Sequence, residues 1–302
     1  MTLPFDELWP RAGGWPTFDA AERSDAVLLG VPTWRTSLSP TRAHTTPQAI
    51  RDMLPRYSAT LMGPAPVDLN AMLRVTDAGD IAEPDGDAGI AATVARVAEV
   101  AAAADLVIAL GGDNALTYPV ARGAGANGLI TIDAHFDLRD GVSNGSPVRR
   151  LVEDAPAHER IDPTRIVQVG IADFANSAAY ARRAADWGIR VITLDELRRR
   201  GVADVAQEAH QVAGADVAAR VHLDVDVDAA DRAAAPGCPA SVPGGLAAHE
   251  LRALVRALVS DARIVSTDIA EVDAAADSAD GRTVRLAALC VLEMLAGLSA
   301  RV

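Results

Sequence analysis

Short aliphatic runs recur along this chain with enough residues between them for a helix, and that alternation constrains the fold more than any other feature. The runs are "AVLLGV" from Ala26, "LVIALGGD" from Leu106, "LITIDAH" from Leu129, "IVQVGI" from Ile166, "RVITLD" from Arg190, "VHLDVDVD" from Val221 and "IVSTDIAEV" from Ile264. Between them lie Ala-rich stretches that read as helices at 89–104, 176–188, 247–261 and 283–298. Strands alternating with helices imply βαβ units, a mostly parallel sheet and helices on both of its faces. Pro and Gly mark long connections at 32–47, 62–68 and 236–245. No internal repeat or linker divides the chain. With 302 residues, half of them hydrophobic, residues 1–302 are expected to form one α/β domain around one large core.

The formal net charge of −13 argues against attraction to nucleic acid or to anionic lipid surfaces, so small molecules and cations are the better partner classes. The opening stretch "MTLPFDELWPRAGGW" has no basic region leading into an apolar run, and no later stretch holds the roughly 18 uncharged apolar residues of a membrane span. A cytoplasmic protein is expected. Cys238 and Cys290 show neither metal nor redox spacing and read as small buried hydrophobes.

In open parallel sheets, ligands bind beyond the carboxyl ends of the strands. Polar residues cluster there: Asp113 and Asn114 follow one apolar run, Asp133 to Asp137 another, Asp224 to Asp228 a third, and Asp268 with Glu271 a fourth. Strand alternation puts His222, Asp224, Asp226 and Asp228 on one side of "VHLDVDVD" and Val221, Leu223, Val225 and Val227 on the other. Taken alone, this is equally the pattern of an edge strand with a solvated acidic face. Beside "DAHFD" it reads differently. Fully extended, Asp133 and Asp137 would lie about 13 Å apart, so they share a ligand only if the chain curls where the strand ends. Carboxylates gathered there without partners would cost several kcal/mol each, and a bound cation relieves that cost. Asp133, Asp137, Asp224 and Asp226 supply four negative charges, which two divalent ions cancel. A donor set of carboxylates and one imidazole, without thiolate, suits a hard or borderline ion such as Mn²⁺. Two such ions would hold a bridging hydroxide near neutral pH.

These residues resemble the arginase, agmatinase and formiminoglutamase family, the ureohydrolases. "GGDN" at 111–114, "DAHFD" at 133–137, "DVDVD" at 224–228 with "APG" at 235–237, and "DIAEVD" at 268–273 follow the family's order and rough spacing. The resemblance implies a three-layer α/β/α arginase-like fold around a mostly parallel eight-stranded sheet, with a dimanganese centre at its carboxyl edge. It implies that Asp133 and Asp224 bridge the ions, that Asp137 completes one site, and that His135 and Asp226 complete the other. Asp137 would also orient the hydroxide and take its proton, and Glu271 would face the cationic amidine or guanidinium. Asn114 stands where the family usually has a histidine ligand. As a neutral oxygen donor it would hold its ion less tightly, leaving open a weakened two-metal enzyme, a one-metal or different-metal enzyme, or a catalytically silent binding relative. His222 is expected to be a hydrogen-bonded neighbour of the centre.

The loop "RDGVSNGSPVRR" has no histidine at the proton-shuttling position of arginases, which falls near Ser146. Together with "DAHFDLR", "VGIADFANSAAY" and "EVDAAADSADGRTVRLAA", it looks most like formiminoglutamases, implying hydrolysis of N-formimino-L-glutamate to L-glutamate and formamide in histidine degradation. Such a substrate carries two carboxylates and one cation. Arg139 is then expected to clamp a carboxylate, and Asn144 and Ser146 to donate hydrogen bonds to it. Another amidine or guanidino-acid hydrolase shares the metal site and remains the alternative. By analogy with the family, a homo-oligomer is expected.

Overall fold

The computed structural model describes residues 6–216 and 218–301; residues 1–5, 217 and 302, which belong to the domain expected from sequence, lie outside the described residues. In chain order the strands are β1 (Ser24–Val31), β2 (Thr60–Leu61), β3 (Val67–Asp68), β4 (Val75–Asp80), β5 (Ala104–Gly111), β6 (Gly128–Ile132), β7 (Ile166–Ile171), β8 (Arg190–Thr193), β9 (Val221–Asp226) and β10 (Ile264–Ala270). Eight of them form one sheet in the order β4-β1-β5-β10-β9-β6-β7-β8, and every neighbouring pair is parallel. β2 and β3 make a separate antiparallel ribbon.

All seven aliphatic runs are strands of this sheet. The eighth strand, β4 with sequence "VTDAGD", is one the hydrophobic pattern misses. It sits at the sheet edge with a single strand neighbour and its last four residues half-buried or exposed, so it has no need of a continuous apolar run. The opposite error threatened β9. Its acidic alternation suits an edge, yet β9 lies between β10 and β6 near the centre, and all six of its residues are buried. Val221, Leu223 and Val225 join the larger apolar core with the helices Val202–Ala213, Ala248–Val259 and Arg282–Ser299. By alternation, His222, Asp224 and Asp226 face the other layer. Among the described residues, no helix is long and apolar enough to cross a membrane.

The four central strands are β5, β10, β9 and β6, and Asp113, Asn114, Asp133, His135, Asp137, Asp228 and Glu271 follow their carboxyl ends, whereas Asp224, Asp226 and Asp268 lie within the strands. Pairing fixes their levels: Ile132 lies opposite Val225 and Ala270 opposite Asp226. One step past Ile132, Asp133 therefore comes level with Asp226. The turn after β5 is equally constrained. Gly112 has φ 47°, and a Cβ there would come within 2.5 Å of Thr33 Oγ1 and 2.6 Å of Thr33 N. This close approach lets Asp113 N donate to Thr33 O at 2.9 Å while Thr33 Oγ1 donates to Asp113 O at 2.9 Å. Gly112→Ala meets backbone on one side and a left-handed φ on the other, and is expected to cost about 2–4 kcal/mol, measured as a lowered denaturant midpoint with unchanged slope.

Candidate metal centre

At the carboxyl edge the chain leaves β6 through "DAHFD" and β9 through a short turn, Val227–Ala229. Two groups of side chains converge there, each with its ligand atoms within 4.8 Å of one another: Asp133, His135 and Asp228, and Asp133, Asp137 and Asp226. Asp133 belongs to both. The curl required to bring Asp137 back to Asp133 is present, because Asp137 has φ 50°. Glu271, just past β10, has φ 62°. A non-glycine residue in the left-handed region costs of order 1–3 kcal/mol, and both strained positions carry carboxylates of the site.

The structure corrects the assignment of the acidic strand. Asp224, expected to bridge the ions with Asp133, is level with Thr131 and Asp268 inside the sheet. That is one alternation, roughly 7 Å, short of the edge. Asp226 stands beside Asp133 in its place, and Asp228 takes the place expected of Asp226 beside His135, with Oδ2 3.0 Å from His135 Nδ1. "DVDVD" contains two overlapping D-x-D pairs, and spacing alone does not choose between them. Only the register against β6 does. His222 is hydrogen-bonded, with Nε2 3.0 Å from Asp268 Oδ2 and Nδ1 2.8 Å from Ser266 Oγ, but two alternations below Asp226 and so not beside the centre.

Three further expectations change. Asn114 does not present an oxygen to the centre: its Oδ1 accepts from Thr117 Oγ1 at 2.6 Å, while its Nδ2 donates to Asp137 Oδ2 at 2.8 Å. In this arrangement its amide N–H orients the Asp137 carboxylate. The Asn144 amide is committed within the protein, donating from Nδ2 to Glu271 Oε1 at 2.8 Å and accepting from Leu38 N at 3.0 Å. Ser146 is fully buried and closes its own turn, donating from Oγ to Ser143 O and accepting from Ser143 N, so its hydroxyl is committed within the protein. Arg139 is exposed and lines the cavity above the centre. Sequence reasoning also passed over Asn176, which pins the "DAHFD" curl by accepting from Phe136 N and donating to Ala134 O. No local spacing marks such a residue.

Burial of so many acids has a measurable electrostatic consequence. Desolvation, reinforced by the Asp228 charge, pushes Asp133 up to about 6. Burial and then Asp133 raise Asp137, and burial and then Asp228 raise Asp226. Glu271 is pushed up to about 8 by burial and by Asp113. Burial works against the charge on His135, but Asp228 and Asp133 outweigh it and hold the imidazolium up to about 12. Asp133 Oδ2 is buried with no hydrogen-bond partner. A buried acceptor that no donor satisfies, within reach of two other carboxylates, fits a divalent cation as the missing partner.

Comparison with known proteins agrees with this geometry. A match to the arginase family spans residues 24–297. The chain belongs to the arginase family. It is 37% identical over 298 residues to a formimidoylglutamase of Halobacterium salinarum, with 93% of this chain and 90% of that protein covered. The solved structure of formimidoylglutamase from Bacillus subtilis superposes with a TM-score of 0.89 at 29% identity, covering 99% of this chain and 94% of that one. A Trypanosoma cruzi formiminoglutamase solved with Mn²⁺ superposes with a TM-score of 0.79 at 25% identity, covering 92% and 95% of the two chains. As an arginase-family protein the chain is a metal-dependent amidine hydrolase with the arginase-like fold.

Two outcomes test this arginase-family centre. Asp228→Asn is expected to weaken Mn²⁺ binding at least about tenfold in a calorimetric titration. Asp224→Asn replaces an acid whose burial already favours its neutral form, and is expected to leave binding near the parental value. In the metal-free protein, Asp133 and Glu271 keep protons when folded that they release near pH 4 when unfolded. His135 likewise keeps its proton above about pH 6.5, where the unfolded chain loses it. All three make the folded state bind more protons, so stability falls as pH rises from about 4 to 8. The melting temperature without metal is expected to decline across that range, and added Mn²⁺ is expected to raise it more at pH 8 than at pH 5.

Proposed function

We propose that this protein hydrolyses N-formimino-L-glutamate to L-glutamate and formamide. The observation that carries the reading is the polarity of the cavity over the centre, about 260 Å³ in volume. Its lining holds the buried acids Asp137, Asp226, Asp228 and Glu271 and the exposed Arg139, the one arginine among the described residues lining it. Among the described residues the Arg139 guanidinium has no ion-pair or hydrogen-bond partner of its own. A free guanidinium at the rim of an acidic cavity suits a ligand that is cationic at one end and carboxylate-bearing at the other. Agmatine, with a second cation, would be repelled there.

Glu271 receives the amidinium. Its Oε1 already accepts from Asn114 N and Asn144 Nδ2, both at 2.8 Å, which fixes the carboxylate plane and leaves Oε2 for a substrate N–H. The cation's approach brings the raised Glu271 back to its ionised form, so binding and ionisation support each other. Divalent ions held by Asp133, Asp137 and Asp226 and by Asp133, His135 and Asp228 supply, when bound, the positive charge that makes water nucleophilic near neutral pH. Asn114 ties up Asp137 Oδ2, leaving Oδ1 to take the proton from that water and return it to the departing nitrogen. Water oxygen adds to the formimino carbon, the bond from that carbon to the glutamate nitrogen breaks, and formamide leaves with glutamate. The donor set of carboxylates and one imidazole suits Mn²⁺.

The test is formamide and glutamate release from N-formimino-L-glutamate with Mn²⁺, alongside urea release from agmatine and from guanidino acids. Turnover of the formimino compound, and of it alone, is expected. Arg139→Ala is expected to raise its KM about tenfold or more, the loss of a charge-assisted hydrogen-bonded pair. Faster urea release from a guanidino acid would overturn the substrate assignment.

A further inference from the structure

Gly145, in the "SNGSP" loop, is buried directly beneath the Arg139 side chain. Its φ is outside the left-handed range, so the backbone has no need of glycine there. What a side chain would meet is Arg139 itself. A Cβ on residue 145 would sit 2.8 Å from Arg139 Cδ and 3.2 Å from Nε, with Leu38 Cδ1 at 3.2 Å on another side. Both neighbours line the cavity. The Arg139 backbone is held at both ends, its N donating to Gly145 O at 3.0 Å and its O accepting from Arg149 Nε at 2.7 Å. The shaft alone is free to yield. Gly145 is itself held firmly, because Ser143 and Ser146 close the turn around it and Asn144 is tied to Glu271 and Leu38.

We propose that Gly145 is a specificity-determining position: having no side chain, it forms the floor across which Arg139 lies to meet a substrate carboxylate. The same short turn thus touches both charged groups, Asn144 orienting the acid that receives the amidinium and Gly145 seating the base that receives the carboxylate. This rests on the reading that Arg139 holds a carboxylate of the substrate.

The experiment compares wild type, Arg139→Ala, Gly145→Ala and the double variant as Mn²⁺-loaded enzymes, measuring kcat, KM and thermal melting. N-formimino-L-glutamate and N-butylformamidine, which lacks carboxylates, serve as the two substrates. Gly145→Ala is expected to raise KM for the dicarboxylate about three- to tenfold, to shift kcat little, and to leave kcat/KM for N-butylformamidine unchanged. In the double variant the shaft is gone, so KM is expected to equal that of Arg139→Ala. If Arg139→Ala raises KM and Gly145→Ala does not, or if the two effects multiply, the proposal falls while the substrate reading stands. If Arg139→Ala leaves KM unchanged, the substrate reading falls and takes this proposal with it. Should Gly145→Ala melt early, the double variant decides: it recovers parental melting if the Arg139 shaft is the obstruction, and stays unstable if Leu38 is.

Discussion

Mutual repulsion among Asp133, Asp137, Asp226, Asp228 and Glu271, all less than a tenth exposed, is the constraint to which the rest of this fold answers. Water is too scarce there to solvate five charges, and protonation or cations must take its place. The scaffold that tolerates this is a parallel sheet whose central strands end together, so that three separate segments, those at the ends of β6, β9 and β10, deliver these acids to one edge. Neither strand register nor loop conformation is free to relax. Asp137 and Glu271 hold left-handed backbone angles, and Gly112 packs against Thr33 so closely that a methyl group has no room.

Beneath the centre the same face of the sheet stays polar for two further levels. Asp224 lies level with Asp268, and His222 one alternation below bridges Asp268 and Ser266. All four side chains are fully or almost fully buried. Asp224 is raised by its own burial and then by Asp268. The opposite face of these strands, Val221, Leu223 and Val225 on β9 and Ile130 and Ile132 on β6, is wholly apolar. Both layers of helices pack on apolar strand residues, and the layer on the side of the centre also closes over this buried polar column.

Much of this was legible from residue pattern. Seven aliphatic runs predicted seven strands, and the polar residues after four of them marked the edge where the site lies. Pattern failed where one local spacing admits two registers or where a residue's partners come from distant segments. "DVDVD" offers Asp224 with Asp226 or Asp226 with Asp228 on equal terms, and the pairing of Ile132 with Val225 decides for the second. Asn144 and Ser146 are both polar residues in a loop beside the site, but one faces Glu271 across 127 residues of sequence and the other folds back on Ser143. β4 escaped because an edge strand buries little, and periodicity reports burial.

Sequence by itself determined the class of fold, the end of the sheet that carries chemistry, and the kind of ion the donor set prefers, because these follow from short-range periodicity and from the identity of the side chains. Tertiary structure decided which acids meet, that Asn114 orients Asp137 through its amide N–H, and that Gly145 lies under Arg139. Those outcomes depend on strand register and on loops from opposite ends of the chain meeting at one level, and such distances are set only when the whole sheet closes its pairing.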